Sequence, residues 1–169
     1  MIITRGKEHV FVGMNFKLNE DGTVSISMND YIEECLASYD EKISKNNTKT
    51  PANSRLFNVY VYSTKLTEDK SEIFHHIIAN FLFVIERVRL NISTTIEFLS
   101  TRVTKSTKVD WVKLKRLLEY LNNTKNIKRI IGMDGLSVMK TYVDASYAVH
   151  PDMRGHSGGL ITVGKGGIH

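Results

Sequence analysis

The sequence predicts an α+β protein with an N-terminal β-hairpin and a helix behind it, a central helical core, and a partial antiparallel sheet at the C-terminus. Three observations carry this. Residues 8–28 alternate apolar and polar with the period of a strand. Residues 71–121 carry their apolar side chains at helical spacing. After Asn122-Asn123 the strand-like pattern returns, and glycines cluster up to the final "GKGGIH".

Val10, Val12, Met14, Phe16 and Leu18 share one parity, "NEDG" at 19–22 is a turn cluster, and Val24, Ile26 and Met28 resume the alternation. This predicts a hairpin with a longer loop, apolar on one face. Gly13 within the first strand suggests a bulge or a close backbone approach. Asn29 can cap a helix whose first turn holds Asp30, Glu33 and Glu34, where acids suit the helix dipole. Ile32, Leu36, Tyr39 and Ile43 make its stripe, which ends near Lys45. "SKNNTKTPANS" at 44–54 is a polar linker.

A helix over 71–90 follows. Ile73, Ile77, Phe81, Val84 and Val88 lie on one side, with Phe74, Ile78, Leu82 and Ile85 beside them, so its apolar stripe is wide enough for burial. A second helix over about 94–103 presents Ile96, Leu99 and Val103. The third is capped by Thr107 with Asp110 three residues on, close to a capping box, and carries Trp111, Leu114, Leu117, Leu118 and Leu121. Strands at 127–131 and 136–147, joined by "GMDG", and a third at 160–163 complete the chain. Three such strands with no covering helix are marginal on their own.

Charge is unevenly placed. Residues 102–129 hold nine Lys/Arg (Arg102, Lys105, Lys108, Lys113, Lys115, Arg116, Lys125, Lys128, Arg129) and two acids (Asp110, Glu119), a net +7 in a chain of net +5. Contact with a polyanion accounts for this, with Lys113, Lys115 and Arg116 as phosphate ligands; a solvated helix face accounts for it equally. The single cysteine, Cys35, excludes an internal disulfide and points to a reducing compartment, cytoplasmic or nuclear. No stretch is long and apolar enough for a membrane span, so no membrane partner is expected.

Few residues speak for chemistry. Asp144 interrupts the apolar run of "MKTYVDASYAVH", and a carboxylate on a sheet can ligate Mg²⁺; a turn or edge-strand role is the alternative. His75 and His76 point about 100° apart on a helix, so they suit structure better than one shared ion. His150 and His156 flank a loop, where solvated histidines are the default. Cys35 lacks an activating base. The glycines at 158–159 and 164–167 match no phosphate loop.

"YVDASYAVHPDMRGHSGG" followed by "ITVGKG" resembles the start of the ribonuclease H region in polyproteins of copia-type LTR retrotransposons. The resemblance runs upstream over nearly the whole chain. "RGKEHVFVGM" at 5–14 resembles the segment after the polymerase active site, with "FVGM" similar to the primer-grip hairpin. "MNDYIEECL" at 28–36 resembles a thumb helix, and "TPANSRLF" at 50–57 the family's linker. "HHIIANFLFVIERVRLNISTTIEFLSTRV" and "DWVKLKRLLEYLNNT" resemble the helices between polymerase and ribonuclease H. One departure is Arg89-Leu90-Asn91-Ile92, where the family usually has Arg-Pro-Asp-Ile.

The resemblance implies four segments: a primer-grip hairpin and thumb-like helix at 1–45, a linker at 46–70, a helical connection at 71–125, and an incomplete ribonuclease H-like domain at 126–169. It implies that Phe11, Val12, Gly13 and Met14 hold nucleic acid, and that Asp144 is a catalytic carboxylate and metal ligand for Mg²⁺ in a complete parent enzyme. The parent would be an RNA-directed DNA polymerase with ribonuclease H activity, acting on an RNA–DNA hybrid or primer–template. Its paired polymerase aspartates would fall upstream of Met1 and the other ribonuclease H carboxylates beyond His169. The chain is therefore expected to be inactive alone. The alternative is a non-catalytic basic module that binds nucleic acid or protein and derives from such an element.

Overall fold

The computed structural model describes residues 5–45, 47–133, 138–147 and 155–167. Its architecture is α+β, with N-terminal strands, a helical core and a partial antiparallel sheet at the C-terminus. The chain forms two compact units. One takes residues 1–28 together with 126–169, and the other takes 29–125. These units cut across the segment 1–45 drawn from the sequence, with its hairpin in one unit and its helix in the other.

In the first unit, β1 (Glu8–Phe11), β2 (Met14–Leu18), β3 (Val24–Ser27), β4 (Arg129–Met133) and β7 (Gly164–Lys165) form a five-stranded sheet in the order β1-β2-β3-β4-β7. Every pairing is antiparallel. The β2–β3 turn follows from "NEDG": Asp21 Oδ1 accepts from the Thr23 amide at 3.0 Å and hydroxyl at 2.6 Å, and Gly22 takes φ 78. The β3–β4 register, Ile26 opposite Arg129 and Val24 opposite Ile131, joins the two ends of the chain into one sheet. β5 (Lys140–Ser146) and β6 (His156–Thr162) pair apart from that sheet as a two-stranded ribbon.

In the second unit, α1 (Asn29–Ala37) is shorter than its apolar stripe suggests. Tyr39 N donates to Leu36 O and the Ser38 hydroxyl caps Cys35 O, so the chain leaves the helix at that point. Tyr39 is still buried, stacked on Trp111 with ring centroids 5.0 Å apart. α2 (Glu68–Arg87) begins three residues early, with Glu68 and Asp69 in its first turn. Phe74, Ile77, Phe81 and Val84 are fully buried along it, as the helical period requires, while Leu82 and both His75 and His76 face solvent. The two histidines therefore take no part in the core. α3 (Ser93–Ser100) is flanked by 3-10 turns at Leu90–Ile92 and Val103–Lys105, so the helix expected to reach 103 ends earlier.

α4 (Lys108–Thr124) has the capping box read from the sequence. The Thr107 hydroxyl accepts from Asp110 N at 3.4 Å, and Asp110 Oδ2 accepts from Thr107 N at 3.0 Å. Its stripe of Leu114, Leu117, Leu118 and Leu121 is fully buried. Cys35 is buried, and burial with the neighbouring Glu34 pushes its thiol up to about 11, so it is an inert packing residue.

Candidate nucleic-acid interface

The first candidate surface is the β1–β2 hairpin. The run read as one strand from Val10 to Leu18 is broken in two by a tight turn at Val12-Gly13, and Gly13 makes that turn rather than a bulge. Phe11 pairs with Met14 across it, and Val12 and Gly13 take φ 49 and φ 72. Two successive left-handed residues fit a two-residue hairpin, for which Asn-Gly is the favoured sequence. A β-branched residue is strained there, by about 1–2 kcal/mol. Nothing in the first unit's core repays this, because Val10, Phe11 and Val12 are all exposed. Beside the strands lies a shallow hollow of about 370 Å³ lined by His9, Asn15, Lys17, Ser25 and Lys128 among others. The Lys17–Glu8 contact of 3.0 Å joins two well-exposed side chains and leaves the lysine's charge largely available.

The second candidate, the basic segment, is less available than its charge suggests. Arg102 Nε lies 3.4 Å from Asp110 Oδ2 and Lys113 Nζ lies 3.6 Å from Oδ1, with all three side chains buried or nearly so. Lys113 also donates to Asn58 O at 2.7 Å and sits over the Phe98 ring. Its burial and the nearby Arg102 pull its pKa down. Lys115 pairs with Glu41 at 3.5 Å, and Lys125 pairs with Glu33. Arg116 Nη2 donates to the Thr50 hydroxyl at 2.9 Å, while its buried Nε finds no acceptor among the described residues. A cavity of about 270 Å³ between α4 and the 51–56 loop brings Lys113, Lys115 and Arg116 together, but Glu119 also lines it. Much of the positive excess thus holds the helical unit together.

Two residues that tie that unit together carry no local mark in the sequence. Glu41 accepts from Lys70 at 2.6 Å and from the Trp111 indole at 3.0 Å, and Lys70 with Lys115 holds its carboxyl down at about 2. Arg89 is fully buried: Nη1 and Nη2 donate to the carbonyl and hydroxyl of Thr124, both at 2.9 Å, and Nε donates to Asn91 Oδ1. Asn91 in turn donates to the Tyr120 hydroxyl at 2.6 Å. Asn91 thus supplies an amide donor that a carboxylate in its place would lack.

Asp144 lies in the middle of β5, opposite Gly158 on β6, and every residue of β5 is exposed. Among the described residues no group of three or more His, Cys, Asp and Glu side chains converges on one point. A lone carboxylate opposite a glycine is not a donor set for two-metal chemistry, which needs several carboxylates about one ion pair. Asp134, His150 and Asp152 lie outside the described residues, as does part of the "GMDG" turn.

The two units thus define an α+β protein with exposed apolar tips, a partly neutralised basic segment and a bare two-stranded ribbon. Among curated proteins, the "Putative transposon Ty5-1 protein" of Saccharomyces cerevisiae is 25% identical over 159 residues, covering 94% of this chain and 50% of that protein. The chain spans about half the length of that relative. The similarity supports a transposable-element association. No family model matches the chain, and no solved structure matches it. Among the described residues no helix is long and apolar enough to cross a membrane.

Proposed function

We propose that this chain is a non-catalytic, nucleic-acid-binding module derived from a transposable element, and that it grips a primer–template or RNA–DNA hybrid through the β1–β2 hairpin. The observation that carries this is the tip Phe11-Val12-Gly13-Met14, strained at Val12 and exposed at Phe11 and Val12. Strain at a position that packs nothing in its own unit belongs to a site that contacts something else. Lys17 and Lys128 in the adjoining hollow supply phosphate contacts.

The finer reading is the C-terminal part of a copia-type reverse transcriptase running into ribonuclease H. It is supported by the order of the motifs and by Asp144 in mid-strand on a hairpin. On that reading Asp144 offers one oxygen ligand to Mg²⁺, and further carboxylates would have to join it.

The test replaces Val12 with Asn and Phe11 with Thr together. Asn-Gly suits this turn better, so the double variant keeps the hairpin while removing the apolar side chains at its turn. Binding of a labelled primer–template, followed by anisotropy, is expected to weaken several-fold while the hairpin stays folded. Unchanged affinity in this variant would refute the grip. Affinity of the unmodified chain that does not fall with added salt would refute phosphate contact altogether.

A further inference from the structure

We infer that the helical unit carries a second binding surface, a stacking platform for unpaired bases, built from the turn Tyr60–Ser63 and the lysines around the start of α4. The inference rests on the reading of the chain as a nucleic-acid-binding module and names the form of ligand this surface takes.

Ser63 N donates to Tyr60 O at 3.0 Å, closing a β-turn whose central residues are Val61 and Tyr62. Turn tips favour Gly, Pro, Asn, Asp and Ser for reasons of backbone geometry and local hydrogen bonding. Here the tip is apolar and aromatic. Tyr62 is wholly exposed, Val61 is 83% exposed, and Tyr60 is about half exposed. Folding gains nothing from a tyrosine that touches nothing.

The turn is fixed in place rather than loose. Lys108 N donates to Thr64 O at 2.9 Å, Leu66 N donates to Ser106 O at 3.1 Å, and Lys65 bridges to Thr107. Lys113 holds Asn58 O just before it. The segment therefore runs antiparallel to the entry of α4, and Val59 to Ser63 form a hollow over Val109.

That pairing puts Lys65 and Lys108 on the two strands of chain that hold the turn, with Lys105 next to Ser106 at their far end. All three are exposed, and among the described residues none makes an ion pair. They are the cations of this region that the internal pairs leave over. Asp110, the nearest acid on α4, is buried and committed to Arg102 and Thr107. Glu68 and Asp69, which open α2, are the exposed acids nearest to Lys65 along the chain.

Flat phenol rings and free ammonium groups match the two parts of a single-stranded nucleic acid, base faces and phosphates. A duplex offers the phosphates but keeps its base faces stacked inside. An apolar protein partner would use the rings and leave three lysines to be desolvated without a counter-charge.

The intact chain is titrated against labelled oligothymidylate and against a blunt duplex of equal length, with anisotropy as the readout. Tyr62→Ala is expected to weaken oligothymidylate binding by about tenfold and to leave duplex binding unchanged. Lys105→Ala with Lys108→Ala is expected to flatten the salt dependence for the oligonucleotide. Tyr62 is fully exposed, so the variant's melting curve should match the parent's, which separates lost contact from lost fold. Equal loss for both ligands, or undiminished oligothymidylate binding in Tyr62→Ala, overturns the platform; the second result leaves the patch to a protein partner. A parent chain that binds primer–template but no oligothymidylate overturns the platform and spares the hairpin reading. A parent chain that binds neither overturns both.

Discussion

Asp110 meets three demands at once. It closes the capping box of α4, accepts from the Thr107 hydroxyl at 2.8 Å, and neutralises Arg102 and Lys113 where water is scarce. Removing it leaves two cations buried without their carboxylate, a change that costs on the order of 3–5 kcal/mol. Asp110→Ala should therefore lower the urea midpoint of the helical unit sharply, and Asp110→Asn should recover the cap but not the ion pairs. Trp111, the single tryptophan, reports on that unit. Glu41 makes a different prediction. Its carboxyl is held at about 2, below the ordinary 4.5, so it contributes stability above about pH 4.5 that is lost as pH falls toward 2. Glu41→Gln should lower stability at neutral pH and flatten the acid limb of the profile, so that variant and parent converge as pH falls toward 2. The cap at Thr107 and Asp110 was legible in the sequence because its partners are three residues apart. Glu41 and Arg89 are not, because Lys70 and Trp111, which hold Glu41, and Thr124, which holds Arg89, lie 29 to 70 residues away.

Among the elements, periodicity read the helices well and the strands less well. The stripes of α2 and α4 give their buried faces apart from Leu82, which faces solvent, since a 3.6-residue period maps directly onto a face. The alternation of Val10, Val12 and Met14 reads as one face of a single strand, whereas a two-residue turn inverts parity, so that Val10 faces with Asn15 and Phe11 with Met14. Only backbone dihedrals distinguish the two, and "Val-Gly" lacks the usual Asn-Gly mark. One of the two substitutions that test binding therefore has a structural half. Val12→Asn should raise the stability of the β1–β2 hairpin by about 1 kcal/mol, visible as slower amide exchange in β1 and β2. The basic segment shows the limit of reading charge from sequence. A net of +7 is the same number whether its lysines face solvent or carboxylates drawn from elsewhere, and here Asp110, Glu41 and Glu33 account for Arg102, Lys113, Lys115 and Lys125. Of the two sets of residues the sequence offers for nucleic acid, Phe11 to Met14 lie at a largely exposed turn and Lys113, Lys115 and Arg116 are engaged within the helical unit.

At the scale of the molecule, the helical unit is inserted between β3 and β4, strands that pair with each other. No local pattern in the sequence announces such a pairing, which places residues 1–28 and 126–169 in one unit. The arrangement predicts that residues 29–125 fold by themselves, since their core is shared among α1, α2, α3 and α4. An isolated 29–125 fragment should melt cooperatively with Trp111 buried; a fragment without a transition would show that the helices depend on the sheet. The insertion also sets an order in time. β3 leaves the ribosome long before β4 exists, and roughly a hundred residues at about 5–20 per second is a wait on the order of 5–20 s. Throughout that interval one edge of β3 is an open template for any neighbouring nascent chain. The helices between must mature while the hairpin waits, so crowded translation of this message should favour swapped, intertwined products that slower initiation avoids.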